Sequence, residues 1–479
     1  MQQITEIEIK KRLSFDNPWW EGASGIDPQL RQMPRRAYFE AFRRLALDRS
    51  LRRAAVLMGP RRVGKTVMLH QTVQHLIDGN VPPQSILYVS LDTPTYSGLG
   101  LDRLLTLFRE VCGGGQSDLA YVFFDEVQYL RDWERHLKSL VDSYPTIKFV
   151  VSGSAAAALR LKSDESGAGR FSDFMLPPLT FAEFLHFRGH DISEDITEVD
   201  VVALNTEFIN YLNFGGFPEA IFSETVRASL QRHIGGDIID KVLLRDLPSL
   251  YGIQDTQELN RLFATLAYNT GNEISLVDLT QSSGVAKNTL GRYIEYLEAA
   301  FLIRRVHRID ENARHFRRAT HFKVYLTNPS LRAALFGPID EDDQAAGRMA
   351  ETALISQLFH FADRTELFYA RWKGGEVDIV LLDPATQMPD GIIEVKWSDR
   401  APDHPSELAA LQEFAQRHPT RSLPIVCTRT TQRVAMSGGV KVHFVPVSFA
   451  AYGLGQRMSD AAANHQVKIS KRLVPEPLE

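Results

Sequence analysis

The eight residues Gly59-Pro60-Arg61-Arg62-Val63-Gly64-Lys65-Thr66 restrict this chain more than any other feature, because of what stands on either side of them. Ala54-Ala55-Val56-Leu57-Met58 is a short apolar run of buried-strand type, and Val67-Met68-Leu69-His70-Gln71 continues beyond the loop as a helix. Strand, glycine loop and helix in that order make a P-loop. Gly59 and Gly64 let the backbone turn so that successive N–H groups face phosphate oxygens, assisted by the positive end of the helix. Residues Gly59 to Val67 would line ATP, Lys65 would reach its β and γ phosphates, and Thr66 would offer a hydroxyl to Mg2+.

Such a loop needs a carboxylate at the end of a neighbouring strand, and Ala120-Tyr121-Val122-Phe123-Phe124-Asp125-Glu126 supplies one. Asp125 is expected to complete the metal shell and Glu126 to polarise the attacking water. A third strand-like run, Lys148-Phe149-Val150-Val151, ends in Ser152-Gly153-Ser154, and Gly169-Arg170 precedes a fourth, Phe174-Met175-Leu176.

This succession resembles the AAA+ ATPases. More closely, Arg35-Arg36, the loop, Phe124-Asp125-Glu126-Val127-Gln128, Gly153-Ser154, Gly169-Arg170, Pro178-Leu179-Thr180-Phe181-Ala182-Glu183-Phe184, Gly215-Gly216-Phe217-Pro218-Glu219 and Leu244-Arg245-Asp246-Leu247 resemble one prokaryotic AAA family. That family carries a helix-turn-helix and a nuclease-like domain behind the ATPase. The resemblance implies an α/β protein: N-terminal extension 1–34, P-loop AAA+ core 35–181, helical lid 182–252, winged helix-turn-helix 253–322, restriction-endonuclease-like PD-(D/E)xK domain 323–455 and tail 456–479. It also implies that Ser152 or Ser154 senses the γ phosphate, and that Arg170 acts as an arginine finger on the ATP of a neighbouring subunit. A trans finger requires a homo-oligomer, with a hexameric ring among the candidate forms.

Between Gln257 and Ile309 two short helical stretches flank Ser283-Gly284, the pattern of a helix-turn-helix, and Phe301-Leu302-Ile303-Arg304-Arg305-Val306-His307-Arg308-Ile309 suits a wing strand. Lys287, Asn288 and Arg292 on the second helix, with Arg304, Arg305 and Arg308 in the wing and further arginines at 314, 317 and 318, are the expected DNA contacts. So few base readers predict binding to duplex or branched DNA by backbone shape rather than sequence. Use of the winged helix for packing alone is the competing reading.

In the last third, Glu351 opens a helical stretch, Asp378 lies in Glu376-Val377-Asp378-Ile379-Val380, and Glu394 and Lys396 share one face of Ile392-Ile393-Glu394-Val395-Lys396-Trp397. The resemblance to PD-(D/E)xK nucleases assigns Glu351, Asp378 and Glu394 to Mg2+ or Mn2+ and Lys396 to the attacking water. Three readings stand open: an active nuclease, a nuclease-like scaffold for DNA, and a salt-bridged hairpin with no ligand.

A formal charge of −5 excludes a protein that coats nucleic acid by bulk electrostatics, so any DNA contact must be local. The start Met-Gln-Gln-Ile-Thr-Glu lacks the basic and apolar regions of a secretory signal, and no run of about 18 apolar residues exists to span a membrane. A cytoplasmic setting is expected. Cys112 and Cys427, with no Cys/His cluster near either, predict neither disulfide nor structural zinc. The resulting expectation is a hydrolase that couples ATP hydrolysis to DNA binding or remodelling; a nucleotide-gated switch with a protein partner is its alternative.

Overall fold

The computed structural model describes residues 4–22, 25–112, 120–154, 169–193, 195–314, 321–361 and 366–463. These fall into two compact units, divided between Pro177 and Pro178.

The first unit is built on five parallel strands, β1 (Ala54–Met58), β2 (Ile86–Ser90), β3 (Tyr121–Asp125), β4 (Lys148–Gly153) and β5 (Phe171–Met175), in the order β2-β3-β4-β1-β5. Every residue of β1, β3 and β4 is buried, as a parallel sheet covered on both faces requires. The order sets β4 between the loop strand β1 and the acidic strand β3. Because the strands are parallel, the P-loop and Asp125 emerge at the same carboxyl edge, where ligands bind in open α/β sheets. This is the α/β fold with a parallel sheet typical of a P-loop AAA+ domain.

The N-terminal extension packs onto this core. The helix Glu6–Asp16 starts with a capping box between Thr5 and Glu8. Behind it the buried Asn17 amide donates to the Tyr88 carbonyl and accepts from the Tyr88 N–H, at 2.9 and 2.7 Å. One side chain thereby occupies part of the free edge of β2, a position that otherwise invites strand addition. Trp19 and Ile26 join the same apolar cluster as Leu57, Val63 and Phe123.

The second unit contains a nine-stranded sheet. Its strands are β6 (Glu273–Ser275), β7 (Ile303–Ile309), β8 (His321–Leu326), β9 (Glu366–Trp372), β10 (Gly375–Leu382), β11 (Pro389–Val395), β12 (Ile425–Thr428), β13 (Arg433–Ser437) and β14 (Val440–Pro446). They run β13-β14-β12-β11-β10-β9-β7-β8-β6. The expected border at 322/323 cuts through β8, which pairs antiparallel with both β6 and β7, and β7 pairs parallel with β9. The strands expected of a wing and those expected of a nuclease are therefore one sheet. Residues expected to form a lid share the core of this unit: Phe184, Phe208 and Tyr211 pack in one cluster with Met349, Ala350, Val447 and Tyr452. The expected tail is also partly structured, since the helix Val447–Ala463 runs through its first residues. Among the described residues no helix is long and apolar enough to cross a membrane.

Candidate functional site

The loop between β1 and the helix Lys65–Asp78 is held by backbone constraints at both ends. A Cβ on Gly59 would meet the Leu176 carbonyl at 2.2 Å, and Gly64 sits at φ +96°, a region that disfavours side chains. From outside, the buried Arg36 guanidinium donates to the carbonyls of Val63 and Pro177 at 2.7 and 3.0 Å, tying the loop to the chain that follows β5. Lys65 is buried with its ammonium on the carbonyls of Gly59 (3.1 Å) and Pro60 (2.8 Å). Burial lowers its pKa; the charges of Glu126 and Asp125 oppose that shift. An ammonium deprived of solvent, with neutral carbonyls for hydrogen-bond partners, suits an incoming anion such as a triphosphate.

Asp125, at the end of β3, collects donors from four directions. Oδ2 accepts from Thr66 Oγ1 at 2.7 Å and Tyr88 Oη at 2.9 Å, and Oδ1 accepts from the Glu126 N–H at 3.1 Å and from Ser152 Oγ. The juxtaposed oxygens of Thr66 and Asp125 are the hard donors that Mg2+ prefers. Glu126 takes φ +56°, a costly setting for a side-chain-bearing residue that marks constrained sites. Its carboxylate accepts from Gln128 Nε2, while Gln128 Oε1 accepts from the Ser154 N–H at 3.1 Å. Of the two candidate sensors, Ser152 is committed to Asp125, whereas Ser154 Oγ is buried with no hydrogen-bond partner. Tyr88, Arg36 and Gln128 were not expected at this site. Only Gln128, two residues after Glu126, carries a local signal.

Arg170 lies at the opposite edge of the sheet. It immediately precedes β5 and its carbonyl accepts from the Ala54 N–H, while Met175 is level with Met58 beside the loop. Four strand steps, roughly 13 Å, separate those edges, and the guanidinium is bound to Asp142 at 2.6 Å. Its guanidinium is therefore held away from the loop.

Residues 51–185 match the model of the AAA domain, a span that contains the loop, Asp125, Glu126, Ser152, Ser154 and Arg170. Over these residues the chain is similar to AAA domains. A second match, over 205–342, is to a domain of unknown function, DUF8612. An uncharacterized protein of Haemophilus influenzae is 26% identical over 288 residues, covering 59% of this chain and 69% of the relative. One from Methanocaldococcus jannaschii is 23% identical over 334 residues, covering 68% and 71%. Among solved structures, a RuvB variant of Thermotoga maritima overlaps 59% of this chain and 90% of its own at 16% identity and TM-score 0.28. Domain III of the replication initiator DnaA from the same organism gives 13% identity and TM-score 0.26, over 44% and 90%. Overlaps that low carry no functional argument.

Beyond the AAA+ domain, the expected DNA-contacting residues divide. Lys287, Asn288 and Arg292 are exposed on the helix Lys287–Ala299, which follows the helix Leu276–Ser283. The wing arginines are engaged by other residues of the protein. Arg305 is buried and pairs with the equally buried Glu298 at 2.6 Å, which takes it out of contact with any phosphate. Arg304 lies over the Phe359 ring and Arg308 donates to the Arg371 carbonyl. The physical reason is that β7 is an interior strand with neighbours on both sides, where an exposed wing was expected. Arg317 and Arg318 lie outside the described residues.

The C-terminal carboxylates do converge. Asp378 Oδ2 accepts from the Val395 N–H at 2.9 Å, Glu394 accepts from the Asp378 N–H at 3.4 Å, and Lys396 pairs with Glu394 at 2.7 Å. Among them, however, stands Lys323 of β8. Its ammonium is 3.3 Å from Glu351, 2.8 Å from Glu376 and 3.7 Å from Asp378. Tyr325 donates to Glu351 at 2.5 Å. Burial first, and then the Asp378 charge, holds both Glu351 and Glu394 well above the usual carboxylate range. Among the described residues no group of three His, Cys, Asp or Glu side chains is arranged to hold a metal. The expected ligand set of Glu351, Asp378 and Glu394 therefore does not fit a divalent ion: the Lys323 ammonium lies against Glu351 and Asp378, and Lys396 against Glu394. The same-face alternation of Lys323 and Tyr325 in β8 was the available signal.

Proposed function

We propose that the chain is an oligomeric ATPase that couples ATP hydrolysis to the binding or remodelling of DNA. The observation that carries the reading is the buried, carbonyl-bound ammonium of Lys65 beside the Thr66–Asp125 oxygen pair. Thr66 and Asp125 would hold Mg2+, which would supply positive charge to the triphosphate as charge develops on it. Lys65 would meet the β and γ phosphates with its ammonium. Glu126 accepts the proton of the attacking water, with Gln128 aiming its carboxylate and linking it to the Ser154 amide. Ser154, whose hydroxyl has no other partner, is the sensor in this scheme.

The position of Arg170 supports the oligomer. A finger that is out of reach of its own loop has a role in hydrolysis only at a neighbour's. DNA contact is assigned to the exposed Lys287, Asn288 and Arg292, which would meet phosphates and leave sequence largely unread. Cleavage at the C-terminal carboxylates is no part of the scheme, because Lys323 and Lys396 already pair with them.

The test is ATP turnover with duplex, single-stranded and four-way DNA. Turnover should rise with at least one of the three, and Lys287→Ala with Arg292→Ala should reduce that stimulation and lower the salt dependence of DNA binding by about two phosphate contacts. Slow turnover indifferent to all three DNAs would leave a nucleotide-gated switch with a protein partner. Arg170→Ala should still bind ATP but hydrolyse it roughly a thousandfold more slowly.

A further inference from the structure

The structure assigns Lys323 as the resident cation of the C-terminal carboxylate cluster, making that cluster a charge-paired joint rather than a divalent-metal centre. Lys323 comes from β8, Glu376 and Asp378 from β10, and Glu351 from the helix Ala346–Leu358. Its side chain is 4% exposed, and Glu351 and Glu376 both lie within hydrogen-bond reach of its three N–H donors. The Tyr369 ring lies 5.3 Å from the ammonium, so even its remaining side faces a partner suited to positive charge.

The network continues outward on both flanks. Tyr369 donates to Glu273 of β6 at 2.6 Å, and Arg371 bridges Glu273 and Glu376 at 3.2 and 3.4 Å. On the other flank Lys396 neutralises Glu394. A network of charged and hydrogen-bonding side chains thus links β6, β8, β9, β10 and β11, beside the apolar cluster in which Tyr325, Tyr369 and Ile379 of the same strands pack.

A hard divalent ion held by Glu351 and Asp378 would have to compete with this ammonium. It needs oxygen ligands at about 2.0 to 2.6 Å, and the carboxylate oxygens it would use, Glu351 Oε1 and Asp378 Oδ1, already face the ammonium. Two cations sharing those oxygens would repel strongly at low dielectric. Removing the Lys323 charge should therefore create a metal site that the natural chain lacks.

The experiment measures Mn2+ binding calorimetrically and by electron paramagnetic resonance on nucleotide-free full-length protein. Wild type, Lys323→Met and Lys323→Met with Asp378→Asn are compared. Lys323→Met should bind one Mn2+ at least tenfold tighter than wild type, and the added Asp378→Asn should abolish that gain. Should Lys323→Met fail to fold in metal-free buffer, refolding it with and without Mn2+ gives the same reading: recovery only with Mn2+ is expected, and failure in both conditions overturns the assignment. Stoichiometric Mn2+ binding by wild type that is lost on Asp378→Asn alone would also overturn it, since the metal would then coexist with the lysine.

Discussion

Lys65 and Lys323 are buried to the same degree, each 4% exposed, yet their surroundings are opposite. Lys65 rests on two neutral carbonyls, and desolvation dominates, so its pKa is lowered. Lys323 pays the same desolvation, but Glu351, Asp378 and Glu376 outweigh it and its pKa is raised. The first is a cation awaiting an anion; the second already has its anions. The difference teaches that a buried lysine beside acidic residues does not by itself mark a working site. What matters is whether its charge is already answered within the fold, because an unanswered one is retained at a cost that ligand binding can repay.

The largest test of this contrast compares Lys65→Met with Lys323→Met. Lys65→Met should abolish productive ATP binding and cut turnover by roughly a thousandfold or more, a loss typical of removing a preorganised charge from a phosphoryl-transfer site. It should leave thermal stability unchanged or slightly higher, since an uncompensated buried charge is gone. Fluorescent-nucleotide titration and a melting curve read both. A large stability loss here would mean that Lys65 is structural and would break the comparison.

Lys323→Met should do the reverse. It leaves Glu351, Glu376 and Asp378 facing one another without their cation, at a cost of about 3 kcal/mol, the lower end for breaking a buried pair because Glu376 is partly solvated. Denaturant unfolding of the variant should show that loss, while ATP affinity stays as in wild type. Equal stability of the two proteins would remove the joint.

How much of this was readable beforehand follows the same division. The P-loop is contiguous, and its strand and helix flanks are carried by neighbouring residues, so its position and its partner Asp125 were legible. Arg36 and Tyr88 were not, because each reaches the site across the fold: Arg36 binds Pro177, 141 positions away, and Tyr88 arrives through the pairing of β2 with β3. In the second unit the carboxylates were legible as an order of residues, whereas the cation among them was hidden. Lys323 stood at an assumed border, and nothing in the alternation of β8 tells which strands lie beyond its neighbours. Arg305 was misjudged for the same reason. A strand reads alike whether its far edge meets solvent or β9, and here it meets β9.

The smallest test asks whether the acid of the nucleotide site is held as firmly as Lys323 is, although the lysine beside it is not. Asp125 keeps donors from Thr66, Ser152 and the Glu126 N–H when the Tyr88 hydroxyl is removed, so Tyr88→Phe withdraws one of four. The lost bond is worth about 1 kcal/mol net, and its effect should appear as a KM for Mg·ATP raised by about fivefold with kcat nearly constant, since Glu126 and Gln128 are untouched. An equal fall in kcat with constant KM would instead place the Tyr88 hydroxyl in transition-state stabilisation.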